Sequence, residues 1–168
     1  MAGKDWINRW ESVKNNSKII NALFKTLKSH KPKSLHESAQ QLHNEVFEEI
    51  DCLECANCCH SIPPIVSSRD TKRIAGFLGI SKQKFGDDYL ATDDDGDTVI
   101  NASPCPFLEP DNRCRIYEVR PNACRQYPHS GDYQFVQNIQ LHRQNIQYCP
   151  ALFTIIKRIS AGLNEDLK

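Results

Sequence analysis

The sequence predicts an α+β protein, mostly helical, folding as one small domain around an irregular cysteine-rich metal centre with short strands or a hairpin. Three observations carry this. Apolar residues recur at helical spacing near both ends of the chain, at Trp6, Trp10, Val13, Ile20, Leu23, Phe24 and Leu27, and again at Leu152, Ile155, Ile156 and Ile159. Between them the period dissolves into stretches rich in cysteine, proline and turn residues. Short β-branched runs such as Thr98 to Asn101 lie among those turns.

Taken in order, Lys4 to Lys28 reads as one long amphipathic helix, weakened at Asn15, Asn16 and Ser17, where a break into two is the alternative. The stretch Ser29-His30-Lys31-Pro32 ends it. A second helix is expected from Leu35 to Ile50, with Ser34 as its cap and Leu35, Ala39, Leu42, Val46 and Ile50 inward. Pro63 and Pro64 then exclude a helix interior, so Ser61 to Ser67 is expected to be extended. Ser67 or Ser68 caps a helix that Gly79 stops after Leu78, and Ser81 caps another through Leu90.

Ala91 to Asp97, ATDDDGD, has the look of a calcium loop, but aligning Gly96 with the turn glycine puts the first and last ligands on Ala91 and Ala102. A solvated turn remains. Thr98 to Asn101 reads as a strand, and Pro106 to Leu108 with Arg113 to Tyr117 as a short hairpin about a Pro-Asp-Asn turn. Pro121 suits the first turn of a short helix carrying Cys124. Gln134 to Gln147 fits neither period cleanly and reads as a strand passing into irregular chain. Cys149-Pro150 opens a last helix through Gly162.

Composition narrows the class of function. Lys plus Arg and Asp plus Glu are both 21, so no net field draws the chain to nucleic acid or to an anionic membrane. No apolar run approaches the roughly 18 residues of a membrane span, and the charged N-terminal stretch has no secretory h-region. A cytoplasmic protein is expected, in which the sequons at Asn15 and Asn101 carry no meaning. In that reducing compartment eight cysteines point to metal thiolates before disulfides or inert buried thiols.

Four of the eight, Cys52, Cys55, Cys58 and Cys59, fall within one run of eight positions. Three of these thiols, each separated from the next by two residues, let a short loop curl around one centre. Adjacent side chains diverge, so Cys58 and Cys59 are not both expected to face the same ion in the same way. Cys105 and Cys149 each precede a proline, Cys114 lies at the proposed hairpin and Cys124 near a helix start, where the dipole favours thiolate. One partition gives Cys52, Cys55, Cys58 and a distal cysteine to a first site, and Cys59 with the remaining three to a second. The other is a single site with the remaining cysteines packed around it or inert.

Both iron–sulfur, as a 4Fe–4S cluster, and zinc use such thiolate sets; the CxxCxxC row leans towards iron–sulfur, since structural zinc usually takes two knuckles of two. Neither the CxxxCxxC spacing of radical enzymes nor a Ser-His-Asp set, phosphate loop or HExxH motif is present. His60, Arg115, Tyr117, Arg120, Arg125, Tyr127 and His129 form a polar set around the cysteines. They read as a hydrogen-bond and ion-pair network before they read as an anion site.

The segments CLECANCC, SPCPFL, CRIYEVRPNACRQYP and YCP, read together, resemble the YkgJ-type cysteine-cluster family, described as a zinc- or iron-chelating domain and including flagellin lysine N-methylases. The resemblance runs from about Cys52 to Pro150. It implies metal or iron–sulfur binding, with all eight cysteines as counterparts of the family's ligands. Methylase activity is not carried over, because those enzymes are longer and no methyl-donor site is visible here. The expected organisation is therefore a helical segment over 1–50, a cysteine-cluster domain over 51–150 and a C-terminal helix over 151–168. The expected role is electron transfer or assistance to a modifying enzyme, with a protein as partner or substrate. The alternative is a structural zinc or metal-buffering module that mediates protein interaction.

Overall fold

The computed structural model describes residues 5–29 and 31–165. Its first elements are α1 (Asp5–Glu11), α2 (Ser17–Lys28), α3 (Pro32–Glu49), α4 (Cys52–Cys55) and α5 (Asn57–Ser61). Then come α6 (Ser68–Leu78), α7 (Lys82–Tyr89) and two strands, β1 (Leu90–Thr92) and β2 (Thr98–Ile100). A 3-10 turn at Tyr117–Val119 precedes α8 (Asn122–Gln126), α9 (Ile139–Asn145) and α10 (Pro150–Glu165). Lys4, His30 and residues 166–168, which the sequence reading includes in its terminal helices and first stop, lie outside the described residues. The chain groups into two compact units, one running to Asp51 and resuming at Pro128, the other Cys52–Tyr127. Residues 128–150, read from sequence with the cysteine cluster, thus group with the terminal helices.

In the first unit the chain breaks between α1 and α2, so the single long helix is corrected to a pair. Asn16 causes the break: it stands in extended backbone and its Oδ1 accepts the Ile19 amide at 3.2 Å, which starts a new helix. α2 buries Ile20, Phe24 and Leu27 along one face. α3 starts earlier than expected, with Pro32 in its first turn, so Ser34 lies inside the helix and does not cap it. Along α10, which packs on α3, α2 and α1, Leu152, Ile155, Ile156 and Ile159 are buried. Each such side chain contributes about 1.5–3 kcal/mol on leaving water. Trp10 closes the set, its indole Nε1 donating to the Ile146 carbonyl at 2.8 Å.

The strand expected within Gln134 to Gln147 is instead helix α9. Its buried positions are His142 and Asn145, followed by Ile146 at the C-cap, and the two polar residues interrupt the apolar period by which the helix would have been read. His142 is held by stacking on Phe135, ring centres 4.3 Å apart, while its Nε2 donates to the Phe135 carbonyl at 3.1 Å.

In the second unit, α6 carries a full capping box. Ser67 Oγ accepts the Asp70 amide at 3.1 Å, and the Asp70 carboxylate accepts the Ser67 amide at 3.0 Å. Gly79, at φ +69°, ends the helix in the left-handed conformation that glycine adopts without cost. β1 pairs antiparallel with β2, Leu90 opposite Ile100, so Leu90 begins a strand and does not end α7 as expected. The acidic stretch is the exposed turn between the strands, where Asp93 Oδ1 accepts the amides of Asp95 and Asp97.

Val66, Ile74, Ala75, Phe85, Ile100, Phe107 and Ile116 form this unit's core, and Cys105 and Cys114 pack against it. The hairpin expected at Pro106 to Tyr117 is reduced to one bridge, Leu108 to Cys114. Pro106 offers no amide to a ladder, and after Cys114 the chain coils into the 3-10 turn.

Candidate metal centre

The cysteine run folds as two single helical turns, α4 and α5, joined by Ala56. This residue is 2% exposed and has φ +46°, a left-handed conformation costing an L-residue about 1–2 kcal/mol. The reversal is locked by the Ala56 amide on the Cys52 carbonyl, at 2.8 Å, and the Ile62 amide on the Cys58 carbonyl, also at 2.8 Å. Backbone strain of this kind collects at binding sites. Cys52 is exposed, and Cys55, Cys58 and Cys59 are half-buried.

From this run Cys59 reaches into the rest of the second unit. Its carbonyl accepts the Cys105 amide at 2.9 Å, which ties the run to the SPCPFL segment. The Cys58 thiol donates to the Cys59 sulfur, and this bond, opposed by burial and helped by Cys59's own amide, brings Cys59 down to about 7. Neighbours on a helical turn leave its axis roughly 100° apart. Here that divergence still allows the two sulfurs to meet.

Cys105, Cys114 and Cys124 behave in the opposite way. Burial pushes Cys105 up to about 11, although the Phe107 amide donates to its sulfur and pulls the other way. Burial likewise raises Cys114, against the Ile116 amide on its sulfur and the positive charges of Arg120 and Arg115. Cys124 goes up to about 12, by burial first and then by the charges of Cys59, Cys105 and Cys114, with Arg120 opposing. These charges mark Cys59, Cys105, Cys114 and Cys124 as one electrostatically connected set, each within range of the others.

Two anchors outside the cysteine pattern hold the segments that carry this set, and neither role is expected from the sequence. Asp70, 2% exposed, accepts the Asn122 amide that starts α8 at 3.2 Å and pairs with Arg73. Arg73 in turn donates to the carbonyls of Val119 at 3.3 Å and Arg120 at 2.8 Å. Burial would raise the Asp70 carboxyl, but donors from Ser67, Arg73 and Asn122 outweigh it and hold the group below its usual range. A cap at Ser67 or Ser68 is legible in sequence; the box that Asp70 completes, and the reach of Asp70 and Arg73 across about fifty residues, are not. The other anchor is Asn112, in the turn before Cys114.

The polar set proves to be mainly a network. Arg115 lies over the Phe107 ring at 5.5 Å and Arg120 over Tyr117 at 3.8 Å, with Arg120 Nη1 donating to the Tyr117 carbonyl at 2.8 Å. Arg125 donates to the carbonyls of Arg120 and Glu118. His129 belongs to the first unit, where its Nδ1 meets Asp132 at 3.0 Å. Cys149 also belongs to that unit; it is 7% exposed, and its sulfur accepts the Leu152 amide at 3.4 Å.

Among the described residues, no three His, Cys, Asp or Glu side chains stand close enough to hold a metal ion as they are. The donor chemistry nevertheless fits one. Four thiols share one electrostatic neighbourhood, two of them already accept turn amides, and Arg120 opposes the negative charge at Cys114 and Cys124, with Arg115 adding to it at Cys114.

A family model described as "Putative zinc- or iron-chelating domain", CxxCxxCC, matches residues 51–150. The chain belongs to the CxxCxxCC family. That membership covers all eight cysteines and makes this a metal-chelating type of domain, with zinc and iron both inside the family description. An uncharacterized protein of Methanocaldococcus jannaschii is 33% identical over 87 residues, covering 47% of this chain and 44% of that protein. The chain thus spans less than half the length of the curated relative it matches. No solved structure matches the chain. No described helix is long and apolar enough to cross a membrane.

Proposed function

We propose that this member of the CxxCxxCC family is an iron–sulfur protein. Cys59, Cys105, Cys114 and Cys124 would serve as one ligand set, and Cys52, Cys55 and Cys58 as three ligands of a second. The observation that carries the reading is the electrostatic connection of four thiols drawn from four separate segments of one unit. Buried thiols that raise one another's proton affinity are costly to ionise unless a cation replaces their protons. The row Cys52, Cys55, Cys58, strained at Ala56 and open to solvent at Cys52, supports a cluster loop more than a zinc knuckle.

The chain's own residues then have distinct parts. Cys59, the most acidic thiol of its set, supplies the first thiolate, while Cys105 and Cys114 arrive with one amide each already on sulfur. Arg115 and Arg120 offset the negative charge of the assembled ligands. A bound cluster would supply one-electron chemistry. This supports a role in electron transfer or in assisting a protein-modifying enzyme in the cytoplasm, with a protein as partner.

One observation favours a zinc centre as the second reading. The Cys59 set numbers four thiols, three of them half-buried and raised, which suits a closed structural site in a module that binds another protein. Anaerobic purification with iron, sulfide and zinc measured on one sample decides between them. Iron with sulfide and a broad visible absorption is the expected result. Stoichiometric zinc in a colourless protein would replace the first reading by the second, and a protein that takes up none of the three would end both.

A further inference from the structure

The turn from Glu109 to Arg113 precedes Cys114. It closes by the Asn112 amide on the Glu109 carbonyl at 3.0 Å and the Glu109 amide on the Arg113 carbonyl at 2.8 Å. Asn112 takes the left-handed position of the turn, φ +68°, a conformation asparagine tolerates better than most residues. Its side chain then leaves the turn towards the cysteine run. Nδ2 donates to the Glu54 carbonyl at 3.3 Å, next to Cys55, while Oδ1 meets His60 Nε2 at 3.4 Å, next to Cys59. The first bond fixes which end of the amide faces which partner, because a carbonyl only accepts. His60 must therefore carry its proton on Nε2.

We propose that Asn112 is a positioning residue of the metal centre, whose single amide ties both halves of the cysteine run to the turn that presents Cys114. This rests on the chelation reading above and deepens it. Glu54 lies in α4 and His60 in α5, on either side of the strained Ala56, so the two bonds hold the angle between the turns. Without them, the angle between α4, which carries Cys52 and Cys55, and α5, which carries Cys58, is no longer held, so these three thiols lose their common geometry. Partners of this kind, one step behind the ligands, typically change metal affinity by roughly 10–100-fold.

The test uses the reduced full chain with zinc alone, and in parallel with ferrous iron under anaerobic conditions, reading alkylation of each cysteine by peptide mass spectrometry. Asn112→Gly keeps the left-handed turn and removes only the amide. It is expected to raise the metal concentration that half-protects Cys52 and Cys55 by roughly 10-fold or more, while Cys105 and Cys124 shift far less. His60→Ala, which cuts one arm, is expected to give a smaller rise at the same two cysteines. Wild-type protection of Cys52 and Cys55 in Asn112→Gly overturns the proposal, as does an equal loss at every cysteine, which would mark a general role in folding. If neither metal protects any cysteine of the wild-type chain, the chelation reading fails first and takes this one with it.

Discussion

The helical unit orders itself with apolar surface: Trp10, Phe24, Leu27, Val46, Leu152, Ile155 and Ile156 are all at most 3% exposed, and one buried face of α10 runs from Ala151 to Ser160. The cysteine-bearing unit has a smaller core, and much of its chain is held by polar devices: the Ser67–Asp70 box, the reach of Arg73, the Asn112 amide and the strained Ala56. A short chain segment with a small core usually needs a covalent or metal staple to be stable. The contrast teaches that one unit is finished by burial, whereas the other, on the chelation reading proposed above, is completed by a metal.

The largest expected effect separates the two directly. Stripping metal from the loaded protein should raise amide exchange over 105–127 by about 1,000-fold or more, since thiolate metal binding carries on the order of 10 kcal/mol. The amides of α3 and α10 should not respond. Equal exposure of both units in a hydrogen-exchange measurement would erase the contrast.

The reverse experiment attacks the helical core. Leu152→Ala, at a fully buried position, should cost about 2–5 kcal/mol in urea unfolding followed by helix content. Metal content per chain should stay that of the wild type. Loss of metal along with helix stability would show that the units are not separately built.

Acid sharpens the comparison further, because each unit buries a titratable group. His142 is 0% exposed, and burial lowers it from 6.5 to about 4 despite the Phe135 carbonyl. A lowered histidine means the unfolded chain binds more protons between those values, so stability is full above about 6.5 and falls as pH drops towards 4. About 3 kcal/mol should be lost from the helical unit in that window, and His142→Gln should flatten the loss. A slope unchanged by the substitution would assign the acid sensitivity elsewhere.

Asp70 gives the smallest effect and a different window. Its folded value lies below 3.8, so its stabilisation is present above that pH and is lost only as pH falls through the lower folded value. Asp70→Asn should cost about 1–3 kcal/mol near neutrality and loosen the start of α8, read as faster exchange of the Asn122 amide. A neutral outcome would mean that Arg73 alone holds that segment.

Much of this was legible along the chain. Ser67, Gly79, Ser81 and Pro150 mark helix ends by chemistry that acts within a few residues, and each lies where that chemistry predicts. The long first helix and the strand at Gln134 to Gln147 were misread where a local competitor prevailed, the Asn16 cap in one case and the buried polar residues His142 and Asn145 in the other. The four distal cysteines were legible as candidates by residue type. Which of them share an environment with Cys59 was not, because that depends on a carbonyl 46 positions from the amide it meets, between Cys59 and Cys105.

The sequence by itself determined the helical periods of α2, α3, α6 and α10, the caps at Ser67 and Ser81, the family pattern and the thiol chemistry, because each depends on residue type and on spacing within a turn or two. Only the tertiary structure decided that Cys59 is lowered while the half-buried Cys105, Cys114 and Cys124 are raised, and that Asn112 and Asp70 anchor the segments that carry them. Burial and long-range hydrogen bonds shift a group by what surrounds it in space, and no spacing along a chain encodes that.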